Sequence, residues 1–236
     1  MTCILVRVGA DLSSGGGFWN APVDSATSDF VYVAIPEASP VHAGLEKPYE
    51  RLTSPLAEFN VALPNHLKSQ QMHLDPDFEH LTYGDTGQKA KQLKDNLRTD
   101  DIVCFYAGLR DVHDSPRLIY AIIGLFVVAE TVHVASIPPN LWDINAHSRR
   151  ILGPDVSDVV IRGRPGVSGR LRRCLPIGEY RNRAYRVRKD LLDNWGGLSV
   201  KDGYLQRSAR LPRLLEPDRF LTWLHHQDPS LIQANN

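Results

Sequence analysis

Two apolar runs joined by a short polar link constrain this chain's fold more than any other feature. The first covers 101–109 (DIVCFYAGL), the second 118–134 (LIYAIIGLFVVAETVHV), and RDVHDSPR lies between them. Both are rich in β-branched and aromatic residues, which favour strands. The polar link predicts that the two strands pair antiparallel. The second run contains Glu130 and His133. It is too short and too polar for a membrane-spanning helix.

The remaining elements are read around this pair. Cys3–Val8 predicts a first strand, followed by the loop SSGGG and then FWNAPVD. Phe30–Ile35 predicts a second strand, ended by Pro36. The stretch 36–72 carries repeated prolines and reads as loop with one short helix near 54–61. HLDPDFEHLTYG (73–84) predicts a two-turn helix, with Asp75 as its cap, Pro76 in the first position and Gly84 past its end. Ala90, Leu93 and Leu97 share one face of a further helix. Strands are expected at Val159–Arg162 and Leu171–Ile177, and helices at Arg188–Trp195 and Glu216–Gln227. Without regular βαβ alternation, this order predicts one α+β domain over 1–236. Its core is a mixed, largely antiparallel sheet or a small β-barrel with flanking helices.

Three widely spaced cysteines, with no C-x-x-C spacing, suggest free thiols in a reducing, cytoplasmic setting and no metal site. MTCILVRVGA lacks the basic start of a signal peptide. Net charge is zero but unevenly spread. From Arg149 to Lys189 eleven arginines and one lysine face only Asp155, Asp158 and Glu179, a net +9. That asymmetry predicts an anionic partner, a nucleotide or nucleic acid, and no membrane.

Five constellations are candidates for chemistry. In Arg162-Gly-Arg-Pro-Gly-Val-Ser-Gly-Arg170, glycines let backbone N–H groups approach a phosphate, with Arg162, Arg164, Ser168 and Arg170 beside it. Gly-Lys-Ser/Thr is missing, so this is not a Walker A loop. In RNRAYRVR (181–188), arginines alternate with Tyr180 and Tyr185 nearby, a pattern suited to phosphates and stacked bases if the segment is extended. On the glycine loop Trp19 can stack on a base and Asn20 and Asp24 can read its edge, although a packed Trp19 with Asn20 and Asp24 capping a turn fits the local sequence slightly better. His73, Asp75, Asp77, Glu79, His80 and Asp85 form an acidic and histidine cluster that suits acid/base work more than metal binding. The helix reading gives Asp75, Asp77 and Glu79 structural duties instead. Finally, His147 titrates near neutrality in principle, with Arg149 and Arg150 beside it to hold an anion. No cofactor is identified by any of these.

The strings GGFWNAPVD, FVYVAIPE, HLDPDFEHLTYGD, DIVCFYAGLR, NAHSRR, GRPGVSGRL, IGEYRNRAYRV and WGGLSVKDGYLQRSARLPR together resemble the third type of nucleotide-modification-associated domain. The resemblance covers roughly residues 3–225 and implies a role in pathways that make or handle modified DNA bases. It carries no established catalytic residues. A shorter likeness, in Asp101–Tyr106 and Ile122–Val127, is to the barrel strands of PUA-like domains of the EVE and ASCH groups, which implies a pocket for RNA or a modified base.

Three functions follow as alternatives. A reader captures a modified base with Trp19, Tyr83, Tyr106 and the 162–170 loop. An enzyme of base modification uses Asp75, Asp77, Glu79 and His80 as acid/base groups and arginines to position phosphate. A partner protein in a modification or defence system uses the arginines against an acidic protein face.

Overall fold

A computed structural model of the chain describes residues 1–114, 116–154, 156–206 and 208–236. The polar link at 110–117 and the arginine-rich segment are thus described apart from Ser115 and Asp155. The strands are β1 (Cys3–Arg7), β2 (Pro22–Val23), β3 (Ile35–Pro36), β4 (Met72–His73), β5 (Thr82–Asp85) and β6 (Ile102–Asp111). They continue as β7 (Leu118–His133), β8 (Val159–Gly163), β9 (Gly169–Pro176), β10 (Gly178–Arg181), β11 (Ala184–Val187) and β12 (Leu231–Ile232). The α-helices are α1 (Thr53–Ala57), α2 (Asn65–Lys68), α3 (Gly87–Asn96), α4 (Ala146–Arg149), α5 (Lys189–Asn194) and α6 (Pro217–His226).

The two apolar runs form the centre of the sheet. β6 and β7 pair antiparallel from Ile102↔Val127 to Arg110↔Leu118. Val103, Phe105 and Leu109 point to one face, while Ile102, Cys104 and Tyr106 point to the other, and all six are buried. A strand covered on both faces has no polar side to present, which is why the sequence reads as an unbroken apolar run. β1 adds parallel to β6. β7 is long enough to serve two partners, β9 along Ala121–Leu125 and β8 along Val128–His133. Beyond β8 lies β5, also antiparallel. The sheet is open and largely antiparallel, so the fold is α+β without the closed barrel of the PUA-like alternative.

Each face has its own core. On one, Phe78, Phe105 and Phe126 meet edge to face, with ring centroids 4.8–5.7 Å apart. Ala90, Leu93 and Leu97 of the α3 region join this side as the periodicity predicts. On the other, Trp195 at the end of α5 packs against Phe220 and Trp223 of α6. Among the described residues, no helix is long and apolar enough to cross a membrane.

Three local expectations are corrected. Residues 73–84 do not form a helix. Asp77 and Thr82 exchange both backbone hydrogen bonds, at 2.8 and 3.0 Å, and close a turn that leads into β5. The Asp77 carboxylate accepts the N–H groups of Glu79 and His80 at 3.1 and 3.2 Å, the local side-chain bonding that competes with a helix. Residues 181–188 are not one extended strand either, because Asn182 and Arg183 adopt positive φ at the β10–β11 turn. At 30–35 only Ile35 lies in a strand, β3, although Phe30–Ala34 are all buried.

Candidate functional site

The short β3–β4 ribbon begins the site. It sets Ile35 opposite His73, so Glu37, two residues further on, reaches the His73 ring. Glu37 Oε2 lies 2.6 Å from His73 Nδ1. Arg150 donates to the other carboxylate oxygen from Nε at 3.0 Å and Nη2 at 2.8 Å. Burial pushes the Glu37 carboxyl up, but hydrogen bonds from His73 and Arg150 outweigh it and hold the group at about 2. An ionised Glu37 fixes the Nδ1–H tautomer of His73. Burial brings His73 itself down to about 4, against the pull of Glu37, so its ring is neutral at pH 7.

Asp75 follows directly. Its Oδ1 accepts the Gly84 N–H at 2.9 Å and the Asn145 side-chain amide at 2.8 Å. Burial dominates its environment and raises the carboxyl to about 7. Asn145 also caps α4 by accepting the His147 N–H at 2.9 Å. That cap points the His147 ring back toward Asp75, with Nε2 3.8 Å from Asp75 Oδ2. On its other side His147 Nδ1 lies 2.6 Å from Asp158 Oδ2, just ahead of β8. The two imidazoles meet edge to face with centroids 4.9 Å apart. Gly84 makes this approach possible, since a Cβ there would stand 2.5 Å from His147 Cδ2 and 2.8 Å from Asn145 Oδ1.

His73, Asp75 and His147 form the floor of a cleft of about 580 Å³. Tyr83, Gly84 and Asp85 of β5 make one wall, and Gly15, Gly17 and Phe18 of the glycine loop make another. Phe18 is 62% exposed. Arg7, Lys89 and Arg150 also line the cleft, paired with Asp11, Asp85 and Glu37 respectively.

The candidates read from the sequence divide into three groups. Asp75, Tyr83, His147 and Arg150 line the cleft. Asp77, Glu79, His80 and Arg149 lie at the neighbouring turn. There Arg149 Nη2 donates to Asp77 Oδ2 at 2.6 Å, with the two side chains only 2% and 1% exposed. His80 Nδ1 is 3.1 Å from the same Asp77 oxygen, and Glu79 is exposed. The third group does not line the cleft. Arg162 pairs with Glu130 at 2.9 Å and Arg164 with Asp100. Ser168 accepts the Val127 N–H at 3.0 Å, and Arg170 is buried over the Phe30 ring. Trp19 packs against the core, Asn20 donates to the Gly108 carbonyl at 2.7 Å, and Asp24 caps a turn through the Ala26 N–H. Tyr106 donates to the Leu205 carbonyl at 2.8 Å.

Glu37, Asp158, Arg7 and Lys89 had no local signal. Each acquires its place only when segments far apart in the chain come together, and no short spacing encodes that.

No curated protein and no solved structure matches the chain. Residues 2–202 of its 236 match the family described as nucleotide modification associated domain 3. The extent of that match places the chain in a family associated with nucleotide modification: it belongs to the nucleotide modification associated domain 3 family.

Proposed function

We propose that the chain is a nucleotide-modification enzyme that takes a nucleotide, free or at the end of a nucleic acid, into the His73–Asp75–His147 cleft. The observation that carries this reading is the pair of buried histidines, each fixed at Nδ1 by its own carboxylate, that share one cleft with Asp75. Two histidines locked in one tautomer and turned toward the same space are costly to bury without a use. The walls suit such a substrate. Phe18 offers an exposed ring for a base, and Arg7, Lys89 and Arg150 offer cations for phosphate.

Equilibrium binding of deoxynucleoside monophosphates to the purified chain tests the reading. Phe18→Ala and Lys89→Gln are each expected to weaken binding by about tenfold, equal to about 1.4 kcal/mol. Turnover of a bound nucleotide is expected to be lost in His147→Gln protein that still folds. Full affinity in both wall variants would remove the cleft assignment.

The exposed Phe18 favours one alternative, a reader that captures a modified base in the same cleft without chemistry. A nucleotide that binds tightly and is recovered unchanged under every condition tried would select the reader.

A further inference from the structure

We infer that His73, Asp75 and His147 together bind one divalent transition-metal ion of the zinc or ferrous-iron class. The inference concerns the cleft already assigned to the nucleotide and rests on that reading only for its role in chemistry.

The geometry supplies the argument. One ligand atom from each of the three residues lies within 4.8 Å of the other two, and all three side chains are buried. Zn–N and Zn–O bonds of about 2.0–2.2 Å at tetrahedral angles put ligand atoms about 3.4 Å apart. His147 Nε2 and Asp75 Oδ2, at 3.8 Å, are already near that separation. The His73 ligand atom lies within 4.8 Å of the other two and need close in by no more than about 1.4 Å.

The surroundings of the ligands point the same way. A metal-bound histidine typically donates its other ring N–H to a carboxylate, which sets the tautomer and strengthens the ligand. Both histidines have that partner at 2.6 Å, Glu37 for His73 and Asp158 for His147. Asp75 is oriented likewise, with Oδ1 held by Gly84 and Asn145. Its Oδ2 has no hydrogen-bond donor among the described residues, only His147 Nε2 at 3.8 Å. Among the described residues no lysine or arginine bonds Asp75 Oδ2, which faces the two imidazole rings, and a cation bound there would give it a partner. Two imidazoles favour a transition metal over magnesium or calcium, which prefer all-oxygen sites. Three protein ligands leave coordination positions open toward the cleft, where a water or a substrate oxygen fits.

The test uses the full-length chain, stripped with a chelator, dialysed, and titrated calorimetrically with Zn²⁺. Co²⁺ absorbance reports the ligand set in parallel. One ion per chain is expected. Asp158→Asn and Glu37→Gln should each weaken binding by about 10–100-fold, because they remove only the orienting carboxylate. His147→Gln and Asp75→Asn should weaken it further. Circular dichroism melts confirm that each variant is folded, and the wild-type stoichiometry decides without any variant. Wild-type protein that takes up neither ion overturns the site, as does undiminished binding in folded His147→Gln protein. Nucleotide binding measured on the same samples separates the two assignments. Nucleotide bound without any metal uptake overturns the metal site alone. Metal uptake without nucleotide binding supports the metal site and removes the cleft assignment.

Discussion

Replacing Arg149 with methionine tests whether Asp77 is a structural anchor or a group free to act in chemistry. Arg149 Nη2 donates to Asp77 Oδ2 at 2.6 Å, and Nε donates to Asp143 Oδ1 at 3.0 Å. The Arg149 and Asp77 side chains are 2% and 1% exposed, so water screens little of their attraction. Methionine keeps most of the buried stem and removes the charge. Asp77 then retains only the His80 ring, the Asn235 amide and its backbone donors. Stranding one member of a buried pair costs about 3–5 kcal/mol. In a chain of this length each kcal/mol moves the melting point by about 2–4 °C, so Arg149→Met should melt about 6–20 °C lower. The assay is a thermal melt followed by circular dichroism, repeated in urea. Asp77→Asn in the same background supplies a double-mutant cycle, and its coupling energy should lie at about 1–3 kcal/mol. A melting point within about 2 °C of wild type would put the pair at the value of an exposed ion pair and refute the reasoning.

Gly84→Ala should disturb the site from the β5 side, since the new Cβ would stand 2.5 Å from His147 Cδ2. A stability loss of about 1–3 kcal/mol in a urea titration, with loss of nucleotide binding, is expected. Arg162→Gln and Arg164→Gln remove exposed pairs, so each should change stability by less than about 1 kcal/mol in the same titration. If the 162–170 loop is a phosphate surface, each should also lower the salt slope of single-stranded DNA binding by about 0.7, as read from affinities across salt concentrations. Burial raises the Asp77 carboxyl, but His80 and Arg149 outweigh it and hold the group at about 2, below its ordinary 3.8. Its stabilising contribution is therefore complete above about pH 4 and lost as pH falls toward 2. In acid titrations the stability gap between wild type and Asp77→Asn should hold above pH 4 and close below it.

The elements that read well from sequence are those whose cause is local. β6 and the Ile119–Phe126 part of β7 are buried on both faces, so their apolar runs state the fold without help from the rest of the chain. The Ala90, Leu93 and Leu97 stripe likewise needs only one helical face to be buried. Residues 73–84 mislead because the same letters serve two local structures. An aspartate at the head of a turn accepts backbone N–H groups whether the chain then coils or doubles back. What decides here is nonlocal: Arg149 holds Asp77, and β8 takes residues 82–85 as a strand. Gly84 shows the same ambiguity in one residue. It reads as the left-handed residue that ends a helix, yet its use is to lack a Cβ beneath His147.

The site is hidden for the same reason at larger scale. Asp75 and His147 each stand out locally, but what gives them a shared environment is Glu37 beside His73 and Asp158 beside His147, residues with no motif of their own. Of the described arginines of the arginine-rich segment, Arg150 is the one that lines the cleft, where it neutralises Glu37. Several of the others face carboxylates from the remainder of the chain, as Arg162 does with Glu130, Arg164 with Asp100 and Arg181 with Asp202. Much of the +9 read along that segment is thus already answered within the fold. On the proposed reading, a nucleotide at the cleft meets not a basic surface but Arg7, Lys89 and Arg150, and the acidic partners of the last two, Asp85 and Glu37, line the same walls. On that reading, selectivity comes from how a nucleotide's phosphate competes with Asp11, Glu37 and Asp85 for Arg7, Arg150 and Lys89. Such a competition favours a dianionic phosphate over a monoanionic diester, so a terminal nucleotide should bind the cleft more tightly than the same base inside a strand.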